Sequence, residues 1–138
     1  MKTLGLDLGS QTLGIAISDV FGKVANPRET FTFKSAHYKH AVAHVAEMVQ
    51  KEKITTVVLG LPKNMNNTEG ERGEISRRFA KKIEVATGIH VILWDERMTT
   101  IQVERLLIAC GVRRNNRKKY VDKLAATIIL QSYLDSKV

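Results

Sequence analysis

The amino-acid sequence predicts a three-layer α/β fold in which helices flank a five-stranded mixed sheet. Two observations carry this prediction: short strands fill the first quarter of the chain, and helical periodicity alternates with buried strands after it. Closely spaced strands favour antiparallel hairpins, whereas strands separated by helices favour parallel crossovers. The chain has 138 residues, 43% of them hydrophobic, which suits one domain spanning residues 1–138.

The first three elements are predicted to form an antiparallel meander. Residues 2–8 and 12–19 read as strands separated by a short polar turn, which suggests a hairpin. Residues 25–33 contain the β-branched and aromatic segment TFTF, which favours a third strand. We therefore expect these three strands to pair in chain order.

The next elements alternate between helix and strand. Apolar residues at helical spacing indicate an amphipathic helix over residues 36–52. The apolar segments 55–60 and 89–94 are predicted strands, and a second helix between them is expected to end at Gly88 in the left-handed conformation. This order favours a mixed sheet.

Two helices are predicted at the end of the chain. Thr99 and Gln102 have the spacing of a capping box, so a third helix is expected to begin there and to end at Gly111. A last helix is predicted over residues 118–136.

A polar segment of thirteen residues, from Leu61 to Gly73, separates the fourth strand from the second helix. Segments of this length inside compact domains are usually functional or mobile. Lys63 and Asn64 within it are candidate contacts to phosphate or sugar. A plain surface loop explains the segment equally well.

The composition favours a polyanionic partner. Lys and Arg number 22 and Asp and Glu 14, which gives a net charge of +8 and a pI of about 9.8. Binding to nucleic acid is favoured by such a charge because each neutralised phosphate releases counterions. A basic protein without such a partner remains open. No apolar run reaches the roughly 18 residues that span a bilayer, so we expect no membrane association and a cytoplasmic location.

Four acids stand apart from those on helix exteriors. Asp7 interrupts the apolar first strand, Asp95 and Glu96 directly follow the fifth, and Asp122 lies on the apolar stripe of the last helix. A carboxylate on an apolar face must be paired, protonated or bound to a cation. An ion pair explains any one of them, but four carboxylates meeting at one edge of the sheet indicate a divalent metal. Oxygen ligands favour Mg²⁺ or Mn²⁺.

The surroundings of these acids are suited to a nucleic acid. Gly5 and Gly9 flank Asp7 on its own side of the strand, which predicts an open surface with room for an ion and a phosphate. Basic residues crowd around Asp122 in the segment RRNNRKKYVDK. The candidate nucleic-acid contacts outside the polar segment are Ser10, Arg97, Arg113, Arg114, Arg117, Lys118, Lys119 and Lys123.

Four separated motifs resemble the YqgF family, also called RuvX, in the same order: LGLDLGSQTLGIAISD, VVLGLPKNMN, LWDERMTT and YVDKLAATIILQSYLD. The resemblance implies a ribonuclease H-like fold, shared with RuvC-type Holliday junction resolvases. It also implies a nuclease that matures the 5′ end of precursor 16S ribosomal RNA. By the same resemblance the catalytic acids are Asp7, Asp95, Glu96 and Asp122.

For a metal-dependent nuclease the expected ligands of Mg²⁺ or Mn²⁺ are Asp7, Asp122 and one acid of the Asp95–Glu96 pair, for which Glu96 is taken while Asp95 stays open. RuvC-type enzymes place a glutamate at the end of the fourth strand, where this chain reads Val58-Leu59-Gly60-Leu61-Pro62. The pair of acids after the fifth strand must therefore take the place of that glutamate.

Three other functions stay open at this point. The first is a Holliday junction resolvase acting on DNA, which would act as a homodimer because the junction is symmetric, whereas an RNA nuclease is equally compatible with a monomer. The second is an ATP-binding domain, because DLGSQTLG is similar to the first phosphate loop of actin, Hsp70 and sugar kinases. The third is a basic RNA-binding module without catalysis.

Overall fold

The structure, a computed structural model, describes residues 1–62, 70–95, 109, 111 and 114–137, except for the side chains of 114–123. The described elements, in chain order, are β1 (Lys2–Leu8), β2 (Thr12–Ser18), β3 (Ala25–Thr32), α1 (Tyr38–Lys51), β4 (Ile54–Leu61), α2 (Glu71–Thr87), β5 (Val91–Asp95) and α3 (Arg114–Asp135). No helix in these ranges is long and apolar enough to cross a membrane.

The sheet is five-stranded with the strand order β3-β2-β1-β4-β5. β1 pairs antiparallel with β2, and β2 with β3, whereas β1 pairs in parallel with β4, and β4 with β5. The predicted meander and mixed sheet are thus confirmed. Because β1, β4 and β5 are parallel, their carboxyl ends lie at one edge of the sheet, which we call the carboxyl edge.

The strands alternate their side chains between two hydrophobic cores. Leu6 of β1 and Leu59 of β4 pack on one face against α1 and α2, together with Phe79. On the other face Val58 packs beneath α3 with Leu130. This alternation produces the three predicted layers, with α1 and α2 on one side of the sheet and α3 on the other.

The turn between β2 and β3 is organised by Asp19. Its Oδ1 accepts hydrogen bonds from the backbone N–H groups of Lys23, at 2.8 Å, and Val24, at 3.2 Å. These bonds lower the pKa of the Asp19 carboxyl. They also explain why β2 ends at Ser18, one residue before the predicted boundary, because Asp19 belongs to the turn.

The polar connection before α2 is shorter than predicted. β4 continues through Leu61 and α2 begins at Glu71, so the connection is residues 62–70. The polar residues at the start of α2 have the sequence pattern of a loop. In the structure they form the first turn of the helix, which is exposed except for the buried Gly73. Residues 63–69 lie outside the described ranges.

The end of α2 confirms one prediction and corrects another. Gly88 has φ of 73° and donates its N–H to the Glu84 carbonyl at 2.8 Å, which is the predicted left-handed cap. β5, however, begins at Val91 and not at residue 89. The N–H of Ile89 is bonded to the Thr87 hydroxyl at 3.2 Å, so this residue still belongs to the turn that closes the helix.

The last helix begins earlier than predicted. α3 starts at Arg114, whereas the sequence predicted residue 118. Basic and amide side chains are tolerated on an exposed helix, so their polarity does not mark a loop. Of the helix predicted from Thr99 to Gly111, residues 99–108 and 110 lie outside the described ranges, and Gly111 has φ of 76°.

Candidate functional site

Asp7 lies near the carboxyl end of β1, opposite Gly14 of β2. Its neighbours Leu6 and Leu8 are buried in the core beneath α1 and α2. Because successive side chains of a strand point to opposite faces, Asp7 is on the face covered by α3. It is partly exposed, as a residue that binds a ligand must be.

The backbone of α3 lies directly on β1 at Gly5. A Cβ atom at Gly5 would come within 2.6 Å of Leu130 Cβ and 3.0 Å of the Ala126 carbonyl oxygen. The prediction that Gly5 leaves an open surface is therefore wrong, because the helix fills the space that the missing side chain leaves. Glycine at this position allows a close approach of helix and strand.

α3 runs antiparallel to β1. Ala126 lies over Gly5, in the middle of the strand, whereas Tyr133 lines a cavity with Thr3, near the beginning of the strand. The first half of α3 therefore approaches the carboxyl edge, where Asp7 lies.

Asp122 is in this first half, one helical turn before Ala126. Because α3 runs antiparallel to β1, its backbone at Asp122 lies on the carboxyl-edge side of the contact at Gly5, as Asp7 does. The side chain of Asp122 is outside the described part of the structure.

Asp95 is the last residue of β5 and pairs with Leu61 of β4. Leu93, two residues earlier, packs beneath α1 and α2, whereas Trp94 packs edge-on against Tyr133 of α3, with ring centroids 5.5 Å apart. Asp95 therefore lies at the predicted edge but on the face opposite Asp7. It is exposed.

Ser10 occupies the exposed turn that follows Asp7. The turn is tight, because the Gly9 N–H donates to the Thr12 carbonyl at 2.7 Å and a Cβ atom at Gly9 would meet the Thr12 hydroxyl at 2.8 Å. Ser10 is thus held at the carboxyl edge beside the candidate acids.

The other predicted site residues divide into two groups. The first half of α3 contains five of the predicted basic contacts, and their side chains are not described: Arg114, Arg117, Lys118, Lys119 and Lys123. The remaining predicted residues lie outside the described ranges: Lys63, Asn64, Glu96, Arg97 and Arg113.

Two acids with a lowered pKa, Glu52 and Glu84, lie at the opposite edge of the sheet. The pKa of Glu52 is lowered by its hydrogen bond to Lys2 and by the charge of Arg28. That of Glu84 is lowered by the N–H of Val91, which donates to its carboxylate at 2.9 Å. Lys2 and Val91 are the first residues of β1 and β5, so both carboxylates stabilise the edge of the sheet opposite the carboxyl edge.

One residue at the carboxyl edge was missed by the sequence prediction. Arg72, in the first turn of α2, donates from its Nη2 atom to the Leu8 carbonyl at 3.0 Å. The sequence places this arginine among the charged residues of a polar segment, and its position next to β1 depends on packing between distant parts of the chain. Its place at the start of a helix that follows a parallel strand is the one sequence signal that indicates this edge.

Comparison with known proteins identifies relatives along nearly the whole chain. The family model described as "RuvX: Holliday junction resolvase" matches residues 1–136. A protein of Bacillus subtilis named "Putative pre-16S rRNA nuclease" is 48% identical over 136 residues, covering 99% of both chains. A protein of the same name from Geobacillus kaustophilus is 47% identical over 137 residues, again covering 99% of both.

Solved structures share the fold at low sequence identity. Thermus thermophilus RuvC, in complex with a Holliday junction substrate, has a TM-score of 0.57 at 16% identity and covers 99% of this chain and 95% of its own. The fowlpox virus Holliday junction resolvase has a TM-score of 0.60 at 16% identity and covers 99% of each chain. The predicted ribonuclease H-like fold is thereby confirmed.

A sugar kinase shows the same fold over a part of its length. The Listeria monocytogenes protein Lmo2764, named a putative N-acetylmannosamine kinase, has a TM-score of 0.51 at 17% identity. It covers 78% of this chain but only 39% of its own. The resemblance of DLGSQTLG to a kinase phosphate loop therefore reflects a shared fold.

Proposed function

The chain belongs to the RuvX family, and from this membership we propose that it is a metal-dependent nuclease that processes the 5′ end of precursor 16S ribosomal RNA. Relatives with nearly half of their residues identical carry the name of a pre-16S rRNA nuclease over their full length. The net charge of +8 suits a polyanionic substrate.

One observation carries the proposal, namely the position of Asp7. Asp7 is at the carboxyl edge, on the face beneath α3, in a strand whose other residues are all buried except Lys2. A carboxylate contributes nothing to such a core, so its presence supports a role in binding or catalysis.

The donor groups fit a hard divalent cation. Asp7, Glu96 and Asp122 offer oxygen ligands, which Mg²⁺ and Mn²⁺ prefer. α3 packs closely on Gly5 and runs antiparallel to β1, so its first half, which contains Asp122, approaches the carboxyl edge where Asp7 lies, and this supports their joint use. When bound, such a cation would activate water and stabilise negative charge on the phosphate.

Glu96 suits the third ligand better than Asp95. Asp95, the last residue of β5, lies on the face opposite Asp7, so we assign the third ligand position to Glu96, the other acid of the pair. In this proposal Asp95 lies near the substrate at the end of β5 without binding the metal. Glu96 completes the acidic cluster with Asp7 and Asp122.

The basic residues bind the phosphates that flank the cleaved bond. Ser10 lies in the turn after Asp7, and the start of α3 is rich in Lys and Arg. Contacts of this kind position a nucleic-acid backbone without reading its sequence. The remaining candidates, Lys63, Asn64, Arg97 and Arg113, lie outside the described residues, and in this proposal they contact the same nucleic-acid backbone.

The experiment compares Asp7→Asn with Asp135→Asn, which changes an exposed acid at the far end of α3. Each protein is incubated with labelled precursor 16S RNA and Mg²⁺ or Mn²⁺, and an EDTA sample tests the metal requirement. We expect Asp7→Asn to reduce cleavage by about a hundredfold or more, because loss of a residue that only supports a metal ligand already costs about 10- to 100-fold, and Asp135→Asn to leave cleavage unchanged. Undiminished cleavage by folded Asp7→Asn would refute the proposal.

Resolution of Holliday junctions is the second candidate function. The family description and the fold shared with RuvC favour it. Testing a four-way DNA junction beside the RNA distinguishes the RNA nuclease from the junction resolvase. Symmetric paired incisions in the junction, made by a dimer, would identify a resolvase. Salt-sensitive binding of RNA without cleavage of either substrate would instead identify a binding module.

A further inference from the structure

We infer that Arg72 is a substrate-binding residue that holds the end of β1 and contacts the phosphate beside Asp7. This inference rests on the proposed nuclease function, and it adds a cationic group from α2 to a site otherwise built from β1, β5 and α3. The contact between Arg72 and the Leu8 carbonyl, at 3.0 Å, is its starting point.

The direction of the Leu8 carbonyl follows from the hairpin. The Gly9 N–H donates to the Thr12 carbonyl and so faces β2. The Leu8 carbonyl belongs to the same trans peptide group as this N–H and points the opposite way, toward the β4 side. The register of β1 with β4 runs as far as Leu6 and Leu59. The Leu8 carbonyl lies beyond the last residue pair of β1 and β4, and it accepts its hydrogen bond from Arg72.

The bond to Leu8 leaves the charge of Arg72 available. A backbone carbonyl is neutral, so this hydrogen bond orients the guanidinium without neutralising it. A guanidinium presents several N–H donors in a planar fork, and a single carbonyl uses a small part of them. Arg72 is also exposed, so a substrate at the carboxyl edge can reach it.

The position of Arg72 suits a phosphate near Asp7. Leu8 follows Asp7 in β1 and its carbonyl lies in the plane of the sheet, so the guanidinium is anchored at the carboxyl edge one residue beyond Asp7, although α2 covers the face opposite the Asp7 side chain. A phosphodiester carries negative charge and is repelled by carboxylates, and a fixed arginine offsets this repulsion. Arginine binds phosphate through two parallel N–H donors, which also orients the group.

The test measures binding separately from cleavage. The background is Asp7→Asn, which holds RNA without cutting it, and its affinity for labelled precursor 16S RNA is measured over a range of salt concentrations. Arg72→Gln and Arg72→Lys are introduced into this background. Arg78→Gln is the matched control, because Arg78 is an exposed arginine of the same helix paired with Glu74 at 2.6 Å. Thermal unfolding of every variant is recorded.

We expect Arg72→Gln to weaken RNA binding about tenfold and Arg72→Lys to weaken it less, since lysine keeps the charge but loses the fork. The slope of log affinity against log salt should fall by about 0.7 in Arg72→Gln, the value for one contact to a single strand. Arg78→Gln should change neither quantity. Unchanged affinity and slope in a folded Arg72→Gln protein would overturn the inference, as would a loss equal to that of Arg78→Gln.

A purely structural role for Arg72 has a different outcome. It would lower the unfolding temperature of both Arg72 variants while the salt slope stayed at the value of the parent, and this result also overturns the inference. Failure of the proposed nuclease function is recognised separately. In that case the protein with native Asp7 cleaves no RNA with any divalent cation, although the salt slope still shows the phosphate contact of Arg72.

Discussion

Leu130 of α3 packs on the backbone of Gly5, so closely that a Cβ atom at Gly5 would lie 2.6 Å from Leu130 Cβ. Real Cβ atoms do not approach each other to this distance, and both positions belong to regular elements that cannot shift alone. The glycine therefore sets the separation of α3 and β1. Asp7 lies two residues further along the strand, and Asp122 lies two helical turns before Leu130.

Gly5→Ala should consequently affect both stability and activity. The added methyl group meets the Cβ atom of Leu130 and the Ala126 carbonyl, and such overpacking costs about 1–3 kcal/mol of unfolding free energy. It also forces α3 away from β1, so RNA cleavage should fall more than the folded fraction does. Urea unfolding and cleavage assays measure the two effects.

The control for Gly5→Ala is Val45→Ala. Val45 is a fully buried residue of α1, on the face of the sheet opposite α3, so its truncation destabilises the protein without moving α3. At a temperature where both variants are folded, Val45→Ala should cleave RNA at the native rate. Equal losses of cleavage in both would show that Gly5 has no special effect on the site.

The acids of the carboxyl edge should differ in importance. Asp122→Asn and Glu96→Gln are expected to lose about as much cleavage as Asp7→Asn and to need more Mg²⁺, because each removes a proposed ligand. Asp95→Asn should retain more activity, since Asp95 lies on the opposite face. Titration of cleavage with Mg²⁺ measures the difference. A requirement for Mg²⁺ that rises only in Asp95→Asn would reverse the assignment.

Glu84 should make stability depend on pH. The Val91 N–H and then His90 hold the Glu84 pKa below its ordinary value of 4.5, so its carboxylate binds protons less readily in the folded protein. Its contribution is complete above pH 4.5 and disappears as the pH falls through the lowered pKa. Glu84→Gln should therefore be less stable than the native protein at neutral pH and similar to it in acid.

Urea unfolding of the native protein and Glu84→Gln from neutral pH down to about pH 3 measures this difference. The two curves should run parallel at neutral pH and converge in acid. A constant difference down to the lowest pH would show that Glu84 acts through packing and not through its charge.

The side chain of Gln131 in α3 makes hydrogen bonds to the first residue of β3 and to the turn before it. Its Oε1 accepts the Ala25 N–H at 2.8 Å, and its Nε2 donates to the Lys23 carbonyl at 2.9 Å. Gln131→Ala leaves a partly buried backbone N–H without this acceptor, which should cost about 1–3 kcal/mol of unfolding free energy. Asp135→Asn is the control, because it keeps an oxygen for the bond from Gln131. Comparable losses in both variants would contradict the role of Gln131.

Local chemistry explains the parts of the fold that the sequence predicted. Alternating apolar residues define β1 and β2, helical spacing defines α1, and Gly88 ends α2 as expected, because these signals act within a few residues. The boundaries at residues 71 and 114 moved because polar residues form part of these helices, whereas the boundary at residue 91 moved because Ile89 belongs to the turn after α2. Polarity distinguishes exposed from buried positions better than it distinguishes helix from loop.

The candidate site divides in the same way. The sequence by itself determined that Asp7 interrupts a buried strand, that acids follow the fifth strand, and that four motifs resemble one family. Only the tertiary structure decided that Gly5 serves the packing of α3, that Asp95 lies on the face opposite Asp7, and that Arg72 reaches the end of β1. These three features depend on contacts between residues far apart in the chain, and such contacts leave no periodic signal in the sequence.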